Sequence, residues 1–117
     1  MSALFVCYPK CTTCKKARVW LEDRKIDMII RDIKTENPTR EELALWHKTS
    51  GLPLRKFFNT SGNLYKEMAL KDKLPDMTED EMLDLLATDG MLVKRPIYVK
   101  DDTVLVGFKE AEWAEKA

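Results

Sequence analysis

The spacing of apolar residues divides this chain into strand-like and helix-like stretches. Residues 4–8 are apolar throughout, the pattern of a central strand covered on both faces. From about Thr12 to Asp23 the period lengthens. Cys14, Ala17 and Leu21 share one face, with Trp20 beside it, while Lys16 and Glu22 face water, and this predicts an amphipathic helix. Residues 26–33 return to a strand pattern. Strand, helix and strand in this order form a β-α-β unit, whose connecting helix is long enough for a parallel, right-handed crossover.

Asn37-Pro38 punctuates the chain, and Thr39-Arg40-Glu41-Glu42 fits a capping box at the start of a helix with Leu43, Trp46 and His47 toward its inner face. Ser50-Gly51 and Pro53 stop that helix. Residues 54–58 and 63–68 read as short helical pieces around a Thr60-Ser61-Gly62 turn. A second capping box, Thr78-Glu79-Asp80-Glu81, opens a further helix with Met77 and Met82 placed for a hydrophobic staple. Leu85 and Leu86 continue its buried face, and Asp89-Gly90 is expected to end it. Residues 97–100 and 103–106 then alternate about Asp101-Asp102, a hairpin with a two-residue turn, and a last helix carries Ala111 and Trp113. A β-α-β unit and a β-β-α unit around a mixed central sheet, with a helical insertion at about 39–89, is an α/β, thioredoxin-like plan. One domain spanning 1–117 is expected.

Composition narrows the function. The chain has 117 residues with 20 Lys+Arg against 20 Asp+Glu and a pI near 6.6, so no strong overall field attracts nucleic acid or an anionic membrane. No apolar run approaches a membrane span, and Met1-Ser2-Ala3 leads straight into the first strand, so no signal peptide is expected. Three cysteines are too few for a secreted disulfide scaffold, and a reducing cytoplasm is the expected compartment.

The chemistry concentrates in Cys11-Thr12-Thr13-Cys14-Lys15-Lys16-Ala17-Arg18. Cys11 falls at the expected helix N-terminus, where free N–H groups and the helix dipole favour a thiolate or a bound oxyanion and lower a thiol pKa. Cys14, one turn on, can reach back to close a disulfide. Lys15 and Arg18 in the first turns oppose the dipole, which points to an anion nearby. A zinc site from Cys7, Cys11, Cys14 and His47 is the rival reading, but Cys7 sits in an apolar strand and no second ligand pair follows. His47 reads as a packed or surface histidine. Trp20, Trp46, Trp113, Phe57 and Phe58 read as core.

These residues resemble the ArsC/Spx branch of the thioredoxin superfamily, the arsenate-reductase-like proteins. The matching positions are Cys11–Ala17 with Trp20-Leu21-Glu22, then Arg31-Asp32-Ile33, the block from Gly90 to Ile97, and Val106-Gly107-Phe108. The resemblance implies that Cys11 is the nucleophile and that Cys14 is its resolving or redox-disulfide partner. It also implies that Arg95 binds an oxyanion and that Pro96, cis in such folds, lies against the active-site loop beside Thr12. Of the three arginines that surround the oxyanion in arsenate reductases of this type, only Arg95 has a match. The earlier position falls on Asn59, with Arg55 nearby, and the late one on Gly107. Charge-assisted contacts are the strong ones, so this departure favours a thiol–disulfide or glutathione-linked reductase over dedicated arsenate reduction, unless Lys15, Arg18 or Arg55 substitutes.

The expectation is therefore a monomeric cytoplasmic thiol oxidoreductase acting on a small oxyanion or disulfide. It needs no bound metal or organic cofactor and takes electrons from glutathione, glutaredoxin or thioredoxin. The alternative is an Spx-like redox-sensing regulator that binds RNA polymerase. Residues 51–68 follow the reductase-like members more closely, and the longer charged tail of Spx-like regulators does not follow Trp113.

Overall fold

The computed structural model describes residues 2–117; Met1, which the expected domain span includes, lies outside the described residues. Four strands form one mixed sheet in the order β2-β1-β3-β4. β1 (Ala3–Cys7) runs parallel to β2 (Met28–Asp32) and antiparallel to β3 (Ile97–Lys100), which pairs in turn with β4 (Thr103–Val106). The parallel pair is joined by α1 (Thr12–Asp23), and β3 and β4 by the predicted two-residue turn, with Asp101 at φ 53. α6 (Glu110–Lys116) closes the β-β-α unit, so the expected thioredoxin-like α/β plan is the fold observed.

The sheet is covered on both faces. Alternation along β1 sends Ala3, Phe5 and Cys7 to the side of α1 and α6, where they join Ala17, Leu21, Tyr98, Leu105 and Trp113. Val6 points to the other side, where Ile97, Val104 and Val106 meet the helical insertion through Leu43, Trp46, Phe57 and Leu86. Trp46, Trp113, Phe57 and Phe58 are core as expected. Trp20 is half-buried and packs edge-on against Phe108 and Trp113.

Both capping boxes form. Thr39 accepts from Glu42 N–H ahead of α2 (Arg40–Ser50), and Thr78 from Glu81 N–H ahead of α5 (Glu79–Leu86), with each glutamate reaching back to the cap N–H. Between them, residues 54–57 make one 3-10 turn and α3 (Asn63–Glu67) ends where Ala69 enters the left-handed region. α4 (Leu70–Lys73) follows and was not expected, because four residues are too few to show a period.

Two boundaries differ from expectation. β2 is shorter than 26–33, since Ile26 N–H still bonds back to Leu21 and Asp32 Oδ1 turns the chain by accepting from Lys34 N–H. β2 is also an edge strand, with Ile29 62% and Ile30 43% exposed. Asp89-Gly90 does not end α5, which stops at Leu86; Asp89 instead caps a 3-10 turn at Gly90–Leu92 by accepting from Met91 N–H. Among the described residues no helix is long and apolar enough to cross a membrane.

Candidate functional site

Cys11 is the N-cap residue of α1, in extended conformation, immediately after the turn in which its N–H bonds to Tyr8 O at 2.9 Å. The helix starts here because Pro9 and the extended backbone of Cys11 break the strand, while residues 12–23 carry the amphipathic pattern. Partial burial pushes the Cys11 thiol up, but the N–H groups of Cys14 and Thr13, the Cys14 thiol and the Arg95 guanidinium outweigh it, and the pKa is held below the ordinary cysteine value. The N–H groups face the sulfur without the geometry of a full helix cap, so they act as oriented dipoles.

Cys14 is 2% exposed, and its Sγ accepts from Tyr8 N–H at 3.4 Å. Burial, opposed by that N–H and reinforced by the charge on Cys11, leaves its thiol pushed up to about 12. Two cysteines three residues apart thus hold opposite tendencies, Cys11 half-buried with its pKa lowered, Cys14 buried with its pKa raised. Burial raises the Cys7 thiol too, Arg18 opposes this, and Asp32 and Cys11 add to it. Cys7 ends β1 in the same core cluster as Cys14.

Arg95 reaches the site from the neighbouring strand: with Pro96 it directly precedes β3, whose first residue Ile97 pairs with Val6 at the end of β1 from which the cysteine loop leaves. The Arg95-Pro96 peptide bond is cis, as the resemblance implied, and Pro96 is buried. The guanidinium lies 5.3 Å from the centre of the Tyr8 ring. With the Asn59 amide turned so that Oδ1 faces it, Nη1 and Nη2 donate to that oxygen at 3.1 and 3.2 Å; the opposite orientation would set donors against donors. Asn59 is brought there by a short ladder: Asn59 N–H donates to Leu92 O at 2.8 Å, Lys94 N–H to Phe57 O at 2.7 Å, and Phe58 bridges Val93.

Cys11, Asn59 and Arg95 line one open cleft of about 600 Å³, together with Lys94, Gly107 and Lys109. Gly107 has φ +74, and a Cβ there would lie 3.1 Å from Lys94 Cε, so the Lys94 stem occupies the space over Gly107. Asn59, Lys94 and Lys109 were not among the site residues read from the sequence. Their signal was slight: Lys94 precedes Arg95-Pro96, Lys109 follows Gly107-Phe108, and Asn59 stands out only through the resemblance.

Other expected site residues are placed elsewhere. Lys15 and Arg18 stand further along α1 and line a smaller depression with Cys7, Cys14 and Ile30, and Arg18 pairs with Glu22 at 3.7 Å. Neither lines the cleft, and the charge of Arg18 acts on the Cys7 thiol. Thr12 is exposed as the first residue of α1. Arg55 lines the hollows beside the cleft rather than the cleft itself. His47 packs edge-on against Phe57 and lies 3.5 Å from Glu79, and among the described residues no three Cys, His, Asp or Glu side chains converge to hold a metal.

The chain matches the ArsC family over residues 7–116. It is 50% identical to the uncharacterized protein YusI of Bacillus subtilis over 115 residues, covering 98% of each chain. It is 32% identical to the regulatory protein MgsR of the same organism, covering 92% of this chain and 84% of MgsR. The crystal structure of an ArsC family related protein from Bacteroides fragilis superposes with a TM-score of 0.96 at 55% identity, covering 98% and 97% of the two chains.

Proposed function

Because the chain belongs to the ArsC family, we propose that it is a cytoplasmic thiol-dependent oxidoreductase in which Cys11 attacks an oxidised, negatively charged sulfur substrate. The observation that carries this reading is the arrangement of Cys11 at a helix N-terminus, in a cleft where Arg95 is held by Asn59 within reach of the same ligand. In the first step the Cys11 thiolate attacks a disulfide R–S–S–R′. The Cys11–S–S–R bond forms, the substrate S–S bond breaks, and R′–S⁻ leaves and takes a proton from solvent. Cys14 then loses its proton and attacks Cys11 Sγ. A Cys11–Cys14 disulfide forms, R–S⁻ departs, and two electrons from a glutathione, glutaredoxin or thioredoxin pool restore the dithiol.

Cys14 is a slow resolver while its thiol stays buried and protonated, so an external thiol entering the cleft competes with it. Arg95 holds the anionic group, and Pro96 and Thr12 border the loop that presents Cys11. A single arginine is poor equipment for a doubly charged arsenate, and this favours a sulfur substrate. The test is turnover of an anionic mixed disulfide followed by release of its chromophoric thiol. Cys11→Ser abolishes release, while Cys14→Ala keeps the first-step burst and depends on added thiol for further turnover. Unchanged turnover in Cys11→Ser would sink the mechanism.

The similarity to the regulatory protein MgsR favours a second reading, that of a regulator; with the Spx resemblance it takes the form of a redox-sensing protein whose cysteine pair switches a contact with RNA polymerase. Tight, oxidation-dependent capture of the polymerase α subunit, together with no turnover of any disulfide, would put that reading first.

A further inference from the structure

The Cys11 cleft does not end at its own rim. Lys94, Val106 and Lys109 also line a hollow of about 290 Å³ that includes Arg55, Lys56 and Phe58. Arg55, Lys56 and Thr60 in turn line a cavity of about 530 Å³ bounded by Tyr65, Lys71, Leu74, Met77 and Met82. Three concavities that share lining residues thus lie in succession from the nucleophile to the helical insertion. Six of the chain's 20 cationic side chains line them (Lys94, Arg95, Lys109, Arg55, Lys56 and Lys71), against Glu112 as the one carboxylate. Among the described residues none of these six lies within 4.0 Å of a carboxylate; the ion pairs formed use Arg18, Arg31, Arg40 and His47 instead. In a chain of zero formal net charge, unpaired cations gathered along one groove create a positive field that composition alone conceals.

Taking the thiol-reductase reading as its basis, we propose that this groove binds an acidic protein segment bearing leucine or methionine side chains, and that this segment carries the oxidised sulfur to Cys11. The cations supply charge complementarity at the rim, and the far cavity supplies the apolar contact. Leu74, Met77 and Met82 border that cavity, and methionine adapts its shape to varied apolar side chains. The lining does not suit nucleic acid. Single strands are held by bases stacked on aromatic faces, and the groove's aromatic residues are already packed: Tyr65 against the buried Phe58 at a ring-centre distance of 6.5 Å, and Phe108 against Trp113 at 5.1 Å.

The test separates binding from chemistry. Fluorescent peptides without sulfur are titrated into the full chain: a glutamate-rich peptide with interspersed leucines, the same peptide with lysines for glutamates, and a single-stranded RNA. The glutamate peptide is expected to bind at least about tenfold more tightly than the lysine peptide, and to lose that advantage when salt is raised to about 0.5 M. The double variant Lys56→Glu, Lys71→Glu, verified as folded by its unfolding transition, is expected to lose about tenfold in affinity for it. The same two peptides joined to a chromophoric thiol by a disulfide then report exchange at Cys11, and the glutamate version should react faster by a similar factor. Equal binding of the two peptides, unaltered binding in the double variant, or tighter competing binding of the RNA overturns the proposal. A small neutral disulfide that reacts at wild-type Cys11 alongside any of these results leaves the reductase reading standing. Failure of that disulfide to react removes the reductase reading, and with it the delivery role of the groove, whatever the peptides show.

Discussion

Replacing Gly90 by alanine adds one methyl group where two backbone segments already touch. A Cβ at residue 90 would lie 1.7 Å from the carbonyl oxygen of Ile33 and 2.7 Å from its carbonyl carbon. Heavy atoms of this kind settle at about 3.5–4.0 Å, so one segment must withdraw by about 2 Å. Neither can do so cheaply. Ile33 is fully buried and its N–H bonds to Cys7 O at 2.8 Å, tying it to the end of β1 just before the cysteine loop. The Gly90 segment is held by Leu92 and Val93, buried at 2% and 0% exposure, and by the ladder that places Asn59. Overpacking of a core costs about 1–3 kcal/mol, and a clash with backbone rather than with a movable side chain belongs at the upper end, about 3 kcal/mol. A chain of this length has a total stability of about 6–18 kcal/mol, so the variant folds but is weakened. Equilibrium urea unfolding followed by tryptophan fluorescence reads the effect. With a slope of about 2 kcal/mol/M the midpoint falls by about 1.5 M. A loss below about 1 kcal/mol at unchanged slope would show that the Ile33–Gly90 contact yields easily, and would refute the reasoning that neither backbone segment can withdraw cheaply.

Four further outcomes are expected. The alkylation rate of Cys11 against pH should have its midpoint below the free-cysteine value of about 8.5, and Arg95→Gln should move it upward by removing a positive charge; an unmoved midpoint would remove Arg95 from the electrostatics of the thiolate. Asn59→Ala removes the oxygen that both Nη atoms of Arg95 share, so KM for an anionic disulfide should rise more than kcat falls, whereas a neutral disulfide should be unaffected. Arg31 beside Glu42, at 2.6 Å, holds that carboxyl below its ordinary range. The resulting stability is present above the unfolded glutamate pKa and lost as pH falls through the folded value, so Glu42→Gln should flatten the acid limb of a stability-against-pH curve. Thr78→Ala should lower stability by about 1 kcal/mol in urea unfolding through loss of the α5 cap, with no change in Cys11 reactivity.

What the sequence determined by itself was local. The Thr39 and Thr78 boxes, the hairpin at Asp101-Asp102 and the helix opening behind Cys11 depend on residues a few positions apart, whose hydrogen bonds and periods are readable in order. The C-x-x-C spacing belongs to the same class, because one helical turn brings residues 11 and 14 together whatever surrounds them. The short α4 escaped for want of a period, and Asp89-Gly90 was misread because a cap for the next turn and a stop for the last helix use the same residues. Tertiary structure decided everything that requires distant segments to converge. It set Asn59 against Arg95 through a ladder between residues 57–59 and 92–94, laid Lys94 over Gly107, and turned Lys15 and Arg18 toward Cys7 and Ile30 instead of the cleft. It also brought Arg95 to the helix end that lowers the Cys11 pKa, and sealed Cys14 to 2% exposure. Equal residues three positions apart acquire opposite chemistry only when one is sealed beneath the sheet's helical cover and the other is left at the helix end beside an arginine.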